Sequence, residues 1–558
     1  MVGRFLRAAL VPLSFATLLN AAPMLRLATS AVVPVPLPVG ANGGTQIVEA
    51  YNAGDGSLSL TIGTSVPWIV TTIGSPRPCT TTTASTSCIP LQMALNTSTL
   101  SAGTYTATVT VNGAANIVDA PQTITLTVRV GGVDLYVAPG SSRDVSFSTN
   151  RLLNATPSTQ DGGRWLSLAL DSLGSFQFTF PYRVHLAPPA GMAQGTYNGT
   201  LVTSGSSFPP DNQTIPVTMR VTTQPIAQPS PDRVTARLAQ GAAPFAMQIS
   251  LANLGQGSLT FGAVGSTTTD GGKWLTASAN PGGWAAITLD PGTLAPGYYA
   301  GSVSIGSNGV NGTVVAPVSF QVVAKGAPLA TYKGVVDNAI FGVGDTVNAV
   351  SRGDIVDVFG EQFRFGNIAF SPGVPLATEI SETEVHVNGR PAPLYFTTYG
   401  QIAFQVPMET PLGTAQVQVE RDDILGNIVS VQVVDRAPRI LVVVNPDSSV
   451  PTSAHPAKVG DTLVIYSIGL GPTSPAAVTG APGPFGPLAR LVTPPLVEFG
   501  SGIFGTYTVT PDFAGLTPGS VGLYQVNAVV PPGVRSGLVN VALVFPDGVS
   551  NVAQVAVQ

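Results

Sequence analysis

The sequence predicts an all-β protein built from tandem β-sandwich domains. Charged residues are only 9 % of its 558 residues, while glycines number 62 and prolines 49. Such a composition suits short strands joined by tight turns and disfavours amphipathic helices, which need a charged face. Apolar and polar residues alternate in segments such as YTATVTV (105–111) and IPVTMRV (215–221), which is typical of strands with one buried face. A chain of this length has room for several such domains.

The N-terminus has the layout of a secretory signal peptide. Arg4 and Arg7 form a basic segment, and a short apolar stretch follows over residues 8–19. Small residues come next at Ala21–Ala22 and again at Ala28–Ala31, so the cleavage position stays open. The apolar stretch is too short to span a membrane, and no later segment reaches 18 consecutive apolar residues. We expect export and no membrane span after cleavage, with an uncleaved anchor as the alternative.

The two cysteines, Cys79 and Cys88, stand close together in the segment PCTTTTASTSC. In an oxidising compartment, such a pair indicates a disulfide that closes a Thr/Ser-rich loop. No second Cys or His pair stands nearby in the sequence, which argues against a metal site at the cysteines. The sequence predicts no metal and no cofactor.

A hexapeptide occurs twice, as DGGRWL (161–166) and as DGGKWL (270–275). Each copy is followed by a Gly-x-Tyr motif. Nearer the N-terminus, a third Trp is also followed by a Gly-x-Tyr motif, without the hexapeptide. Repetition at about one hundred residues indicates structural modules rather than a catalytic motif. The Trp residues are expected to fill the sandwich core, and each Tyr hydroxyl is expected to bond backbone at a tyrosine corner. The residues of this core motif are Trp68, Tyr105, Trp165, Tyr197, Trp274 and Tyr299.

The C-terminal part contains a second kind of repeat. GDIVDVFG (353–360) is echoed by GDTLVIYSIG (460–469), and QIAFQVP (401–407) by QVNAVVP (525–531). A segment rich in Gly and Pro, residues 469–495, accounts for the extra length of the second copy. Two further sandwiches are the simplest explanation.

Two family resemblances accompany these repeats. GGKWLTASANPGGWAAITLDPGTLAPGYYAGSVSI resembles the BACON domain, a bacterial extracellular β-sandwich often found beside carbohydrate-active modules, and residues 135–222 and 40–130 resemble it more faintly. VHVNGRPAPLYFTTYGQIAFQVP and AGLTPGSVGLYQVNAVVPPGV resemble the C-terminal domain of a family of uncharacterised secreted acidobacterial proteins, over about residues 335–558. The first resemblance implies a link to carbohydrate. The second implies architecture and export but no reaction.

The complete prediction is about five tandem immunoglobulin-like β-sandwich domains behind an N-terminal signal peptide. The expected parts are the signal peptide (1–31), three BACON-like sandwiches (32–131 with the disulfide loop, 132–224 and 232–324), and two immunoglobulin-like sandwiches (330–436, and 437–558 with a long Pro/Gly loop).

The sequence offers no catalytic constellation. His185, His386 and His455 fall in three different predicted domains and lack metal-ligand spacing, so no Ser or Cys can be argued into a catalytic triad. Two distant carboxylates could still form a glycoside hydrolase site, which is the remote alternative. Asp161 and Asp270 precede Gly-Gly and indicate Asx turns, although calcium binding by these loops stays open.

Trp284, in NPGGWAAITLD, is the candidate ligand-binding residue. We expect it in a turn-like segment at the same end of its sandwich as the Cys79–Cys88 loop, where an aromatic ring can contact a ligand. A net charge of −5 and the lack of a basic cluster argue against nucleic-acid binding.

The predicted function is non-catalytic binding or spacing by a secreted or cell-surface protein. Extracellular polysaccharide is the favoured partner and surface proteins are the alternative. Pro-containing junctions between sandwiches favour a semi-rigid rod. Self-association through edge strands, building a filament or sheath, is the competing hypothesis, because few Lys residues protect those edges.

Overall fold

Five β-sandwich domains follow one another along the chain, and the predicted all-β class is confirmed. Apart from strands, the described residues contain one short 3₁₀ turn, and none of their helices is long and apolar enough to cross a membrane. The computed structural model describes residues 23–53, 57–82, 85–114, 117, 119–149, 151–170, 180–338, 349–500 and 506–558.

Domain 1 packs the sheet β1-β3-β7-β5, with β6 beside β7, against the sheet β2-β9-β8-β4. Its strands are β1 (Leu25–Leu27), β2 (Ala31–Leu37), β3 (Gly43–Asn52), β4 (Leu60–Thr64), β5 (Ile69–Ile73), β6 (Arg77–Pro78), β7 (Ser87–Leu95), β8 (Gly103–Gly113) and β9 (Gln122–Val130).

Domain 2 packs the sheet β11-β14-β13 against the sheet β10-β16-β15-β12. Its strands are β10 (Val133–Val137), β11 (Arg143–Thr149), β12 (Asn154–Thr159), β13 (Leu166–Leu170), β14 (Phe180–Leu186), β15 (Gly195–Ser204) and β16 (Thr214–Val221), with the 3₁₀ turn Pro209–Asp211 before β16.

Domain 3 packs the sheet β17-β19-β22-β21 against the sheet β18-β24-β23-β20. Its strands are β17 (Ala227–Ser230), β18 (Val234–Ala239), β19 (Phe245–Asn253), β20 (Phe261–Thr268), β21 (Leu275–Asn280), β22 (Trp284–Leu289), β23 (Gly297–Ser307) and β24 (Val314–Val323).

Domain 4 packs the sheet β25-β27-β32-β31-β28 against the sheet β26-β34-β33-β29-β30. Its strands are β25 (Leu329–Asp337), β26 (Ala349–Ser351), β27 (Ile355–Glu361), β28 (Ala369–Phe370), β29 (Thr383–Val387), β30 (Arg390–Pro391), β31 (Leu394–Thr397), β32 (Gln401–Gln405), β33 (Gly413–Arg421) and β34 (Ile424–Val434).

Domain 5 packs the sheet β35-β36-β42-β41-β38-β37 against the sheet β40-β39-β43-β44, with β45 beside β43. Its strands are β35 (Arg439–Val444), β36 (Thr462–Ile468), β37 (Thr473–Ser474), β38 (Arg490–Leu491), β39 (Leu496–Gly500), β40 (Thr506–Val509), β41 (Phe513–Leu516), β42 (Tyr524–Val529), β43 (Gly537–Phe545), β44 (Gly548–Val549) and β45 (Ala553–Val557).

Within the described residues, each of domains 1 to 4 contains one parallel strand pair among antiparallel ones. The pairs are β2 with β9, β10 with β16, β18 with β24 and β26 with β34, so an early strand of each domain lies beside its last strand. The side chains that alternate inward form a separate apolar core in every domain.

Two strands lie outside the predicted domain limits. β1 falls within the predicted signal peptide, yet it pairs with β3 and its Leu25 is fully buried. Cleavage at Ala21–Ala22 would keep this strand in the mature chain, whereas cleavage at Ala28–Ala31 would remove it. β17 forms within the predicted linker and takes an edge position, where its Pro229 is tolerated. Residues 1–22 lie outside the described residues, so the signal peptide itself stays a prediction.

Domain 1 contacts domain 3 by hydrogen bonds and domain 4 through a small apolar cluster, which differs from the expected rod. The Gln321 side chain donates from Nε2 to the carbonyl oxygen of Pro121 at 2.8 Å, joining domains 3 and 1. Arg237 of domain 3 bonds both Asp119 of domain 1 and Glu361 of domain 4, at 2.5 Å each. A rod requires contacts between sequence neighbours alone, so these contacts make domains 1, 3 and 4 a cluster.

Candidate functional site

The repeated hexapeptide forms the same hydrogen-bonded turn in domains 2 and 3. The Asp161 Oδ1 accepts from the Gly163 N–H at 3.1 Å and from the Trp165 Nε1–H at 3.0 Å. These bonds, that of the indole above all, hold the pKa of Asp161 below its usual range because they favour the ionised form. The carboxylate therefore closes an Asx turn and fixes the indole ring, which is 1 % exposed.

In the second copy of the hexapeptide, Asp270 closes the same Asx turn and fixes the indole ring of Trp274. Its Oδ1 accepts from the Gly272 N–H at 3.0 Å and from the Trp274 Nε1–H at 3.1 Å, which lowers the pKa of Asp270.

Domain 1 carries an uncharged version of this turn. Thr64 stands four residues before Trp68, and its Oγ1 accepts from the Val66 N–H at 3.3 Å. Trp68 is buried, with 8 % of its surface exposed. Domain 1 therefore keeps the buried Trp of domains 2 and 3 but has a Thr hydroxyl in place of the Asp carboxylate.

Three tyrosine corners complete the repeated framework. Each Tyr hydroxyl donates to the carbonyl oxygen of the residue four positions earlier, at 2.9 to 3.0 Å, in Tyr105, Tyr197 and Tyr299. In domain 3 the Tyr299 ring meets the Trp274 ring edge-on, with centroids 6.0 Å apart. The repeated hexapeptide at Asp161 and Asp270 thus has a structural role: it positions a buried Trp in the core of its domain.

The predicted disulfide between Cys79 and Cys88 is confirmed, with Cα atoms 4.9 Å apart. The loop it closes is fastened to the sheet by Glu49, whose carboxylate accepts from the N–H and hydroxyl groups of Thr80 and Thr81. Burial alone would raise the pKa of Glu49, but these hydrogen bonds outweigh it and lower the pKa. The Thr-rich segment beside Cys79 is therefore anchored at its base.

Trp284 begins strand β22, whereas the sequence predicts a turn-like segment for it. The turn ends at Gly283, whose N–H donates to the Asn280 carbonyl oxygen at 3.0 Å, and β22 starts at the next residue. The hairpin between β21 and β22 occupies the position that the disulfide loop occupies between β5 and β7 in domain 1. Both features therefore lie at the same connection of their sandwiches.

The half-buried Trp284 side chain lies on the outward face of its sheet. Its neighbours in register are Ser250 on β19 and Asn280 on β21. None of the residues of β19, β21 and β22 is charged. We call this outward surface of β19, β21 and β22 the Trp284 face; its further residues are Ala246, Gln248, Thr276, Ser278, Ala286 and Thr288.

A cavity of about 1170 Å³ lies where domains 1, 3 and 4 meet. Asp119 is the acidic residue among its described lining residues, and it contacts both Arg26 and Arg237. Burial lowers the pKa of Arg26 to about 10, because the charged guanidinium loses hydration. The Asp119 carboxylate therefore pairs with one arginine of its own domain and one of domain 3, and so joins domains 1 and 3.

The three histidines lie in different domains, as the sequence predicts. His185 of domain 2 contacts Asp144 with Nδ1 at 2.6 Å from Oδ1. His455 of domain 5 lies in a turn and exchanges backbone hydrogen bonds with Thr452. His386 of domain 4 is different, because two carboxylates flank its ring.

The His386 cluster consists of Glu384, His386 and Glu420, all half-buried on strands β29 and β33. The His386 Nε2 lies 2.9 Å from the Glu420 Oε2 and 3.3 Å from the Glu384 Oε2. The amino-acid sequence alone does not predict this arrangement, since strand pairing brings Glu420 beside Glu384. The only local signal is Glu-x-His, which puts Glu384 and His386 on one face of a strand.

Asp354 is a fully buried carboxyl at the contact between domains 4 and 5. Its two oxygens accept from the N–H groups of Ser351 and Ile355, at 3.1 and 3.0 Å. Burial raises the pKa of Asp354 to about 8, and the nearby Asp337 carboxylate acts in the same direction. Asp461 forms the corresponding turn in domain 5 but remains partly exposed, whereas Gly469 of domain 5 lies against the Asp354 carboxyl.

No protein-family model and no curated protein matches the chain. Among solved structures, an endo-fucoidan hydrolase of glycoside hydrolase family 107 aligns at 13 % identity and a TM-score of 0.15, over 55 % of this chain and 45 % of the hydrolase. The eight N-terminal immunoglobulin domains of Down syndrome cell adhesion molecule align at 8 % identity and 0.15, over 97 % of this chain and 60 % of that one. The five cadherin domains of protocadherin gamma B2 align at 10 % and 0.15, over 90 % and 92 %. The chain therefore spans about half the length of the hydrolase, and TM-scores of this size assign neither a family nor a function.

Proposed function

We propose that the protein is an exported, non-catalytic binding protein that recognises polysaccharide through the Trp284 face of domain 3. The observation that carries this proposal is a half-buried Trp on a sheet surface of small, uncharged side chains. An aromatic ring on a rigid sheet can stack against the apolar face of a sugar, and neutral hydroxyl and amide groups can bond its hydroxyls.

Two further features support export and a carbohydrate ligand. The Cys79–Cys88 disulfide suits an oxidising compartment, in agreement with the signal-peptide layout of the N-terminus. The segment that contains Trp284 is also the one that most resembles the BACON domain, which implies a carbohydrate context.

The non-catalytic part of the proposal rests on how the acidic groups are used. Asp161 and Asp270 hold indole rings, Glu49 anchors a loop, and Asp119 is paired with arginines. A glycoside hydrolase needs two carboxyl groups that flank a substrate. The described lining of the interdomain cavity contains one carboxyl group, that of Asp119, which is already paired with arginines.

The test is a screen of the mature full chain against a broad panel of glycans. We expect binding that Trp284→Ala abolishes, because the ring supplies most of the apolar contact. The matched control is Phe485→Ala, which removes an aromatic ring that is 82 % exposed in domain 5. Absence of binding to every glycan would contradict the proposal, and so would equal loss in both variants.

Self-assembly is a second candidate, favoured by strand β21. This strand lies at an edge of its sheet and contains neither Lys nor Pro, the residues that commonly prevent pairing between edges. Sedimentation velocity at rising concentration distinguishes the two candidates. Assembly predicts large species that Ser278→Lys on β21 disperses, whereas a binding protein without assembly stays one species.

A further inference from the structure

His386 lies between two glutamates on the outer surface of one sheet of domain 4. We propose that Glu384, His386 and Glu420 bind a divalent transition-metal ion of the zinc type. This site is independent of the Trp284 face, which belongs to domain 3.

The positions of the ligand atoms fit such an ion. The His386 Nε2 lies 2.9 and 3.3 Å from one oxygen of Glu420 and of Glu384, and all three atoms lie within 4.8 Å of one another. In a tetrahedral zinc site, bonds of about 2.0–2.2 Å put neighbouring ligand atoms about 3.3–3.6 Å apart. Small side-chain rotations would therefore bring the three atoms to metal-binding distances.

The strands hold these side chains in place before any ion arrives. Glu384 and Glu420 are direct partners in the antiparallel pair of β29 and β33. His386 lies two residues beyond Glu384 and so projects from the same face. Because the backbone of both strands is already paired, binding needs no rearrangement of the fold.

The charge balance also favours a cation. Two carboxylates directly opposite each other repel, and one imidazole N–H can satisfy them only in part. Among the strand neighbours, the acidic Glu379 is bridged to Glu384, while the cation on β30, Arg390, lies beside Val387 and contacts Glu409. A bound divalent ion would neutralise both glutamates.

The ligand types select the class of ion. One imidazole nitrogen with two carboxylate oxygens suits Zn²⁺ and the neighbouring transition metals, whereas Ca²⁺ and Mg²⁺ prefer oxygen ligands throughout. Three protein ligands also leave a fourth position, which water can fill.

The experiment uses the full mature chain, freed of metal with a chelator and titrated with Zn²⁺ by calorimetry. We expect one strong Zn²⁺ equivalent and much weaker binding of Ca²⁺. Replacing His386→Gln, Glu384→Gln or Glu420→Gln should each weaken Zn²⁺ binding at least about tenfold, the loss typical of disturbed metal sites. Circular dichroism of each variant checks that domain 4 remains folded.

The matched control is His185→Gln. It removes a histidine that also contacts a carboxylate, but only that of Asp144, at 2.6 Å. This variant should bind Zn²⁺ as the unaltered chain does. Substitution by Co²⁺ gives a second readout, because its visible spectrum reports the ligands and should be lost with His386→Gln. No strong Zn²⁺ equivalent in the unaltered chain, or equal weakening by His185→Gln, would overturn the proposal.

Discussion

Domains 1 and 3 have the same internal framework but differ at one connection. In both, a buried Trp precedes a strand and a tyrosine corner braces the opposite sheet. In domain 1 the connection after that strand is closed by Cys79–Cys88 and anchored on Glu49, whereas in domain 3 it is a tight hairpin that presents Trp284. We therefore expect the framework to supply most of the stability of each domain, which leaves the variable connection free to differ in function.

The largest expected effect is the difference in stability loss between substitutions of the two Trp residues of domain 3. Trp274→Ala should destabilise the domain by about 3–5 kcal/mol, because it empties a core position that is 3 % exposed. Trp284→Ala should cost about 1 kcal/mol or less, since its ring is half-buried outside the core. Calorimetric unfolding of the two variants measures both, and similar losses would contradict the division of roles.

The disulfide should matter chiefly to domain 1. Replacing Cys79→Ser together with Cys88→Ser should lower the stability of domain 1 by about 2–3 kcal/mol, because the unfolded chain gains conformational freedom. Domain 3 lacks the disulfide but contacts domain 1 through Gln321 and Arg237, so its stability should fall less. Reductant should have no effect on the double variant, and a loss of stability in domain 3 as large as that in domain 1 would contradict a local role of the disulfide.

The tyrosine corners should contribute equally in both domains. Tyr105→Phe and Tyr299→Phe each remove one hydroxyl that donates to backbone, at 3.0 and 2.9 Å, and each should cost about 0.5–1.5 kcal/mol. Thermal unfolding of the pair of variants checks this equality. A loss of stability in only one domain would contradict this prediction, because the same hydrogen bond would then contribute differently to the two domains.

The smallest effect distinguishes Asp270 of domain 3 from Thr64 of domain 1. The folded domain lowers the pKa of Asp270, so the stabilisation is complete above the ordinary value of about 3.9 and is lost as the pH falls through the folded value. Asp270→Asn should therefore reduce the loss of domain 3 stability in acid. Thr64→Ala in domain 1 should leave the pH dependence unaltered, because no charge is removed; unfolding curves between pH 2 and 7 test both.

Sequence reasoning predicted the parts of the fold that repeat or alternate. Alternation located the strands because the two faces of a strand meet different surroundings, and the spacing of Trp165 and Trp274 revealed the modules. The place of Trp284 was predicted less well, because Pro and Gly before it suggest a longer turn than the tight one that forms.

Contacts between distant segments could not be predicted in this way. The Glu384–Glu420 pairing depends on the register of β29 and β33, and Arg237 reaches Asp119 only after domain 1 has packed against domain 3. Neither contact follows from a local pattern alone, so the sequence holds only the Glu-x-His spacing as a signal for the His386 cluster and no direct signal for the interdomain cavity.

The most direct test of the central claim is the fluorescence quenching of Trp284. Trp68, Trp165 and Trp274 are at most 8 % exposed, so acrylamide should quench mainly Trp284. A polysaccharide retained from the glycan panel should reduce this quenching in the unaltered chain and have no effect in Trp284→Phe. Binding that leaves the quenching unchanged, or protection that persists in Trp284→Phe, would contradict the assignment of the ligand to this face.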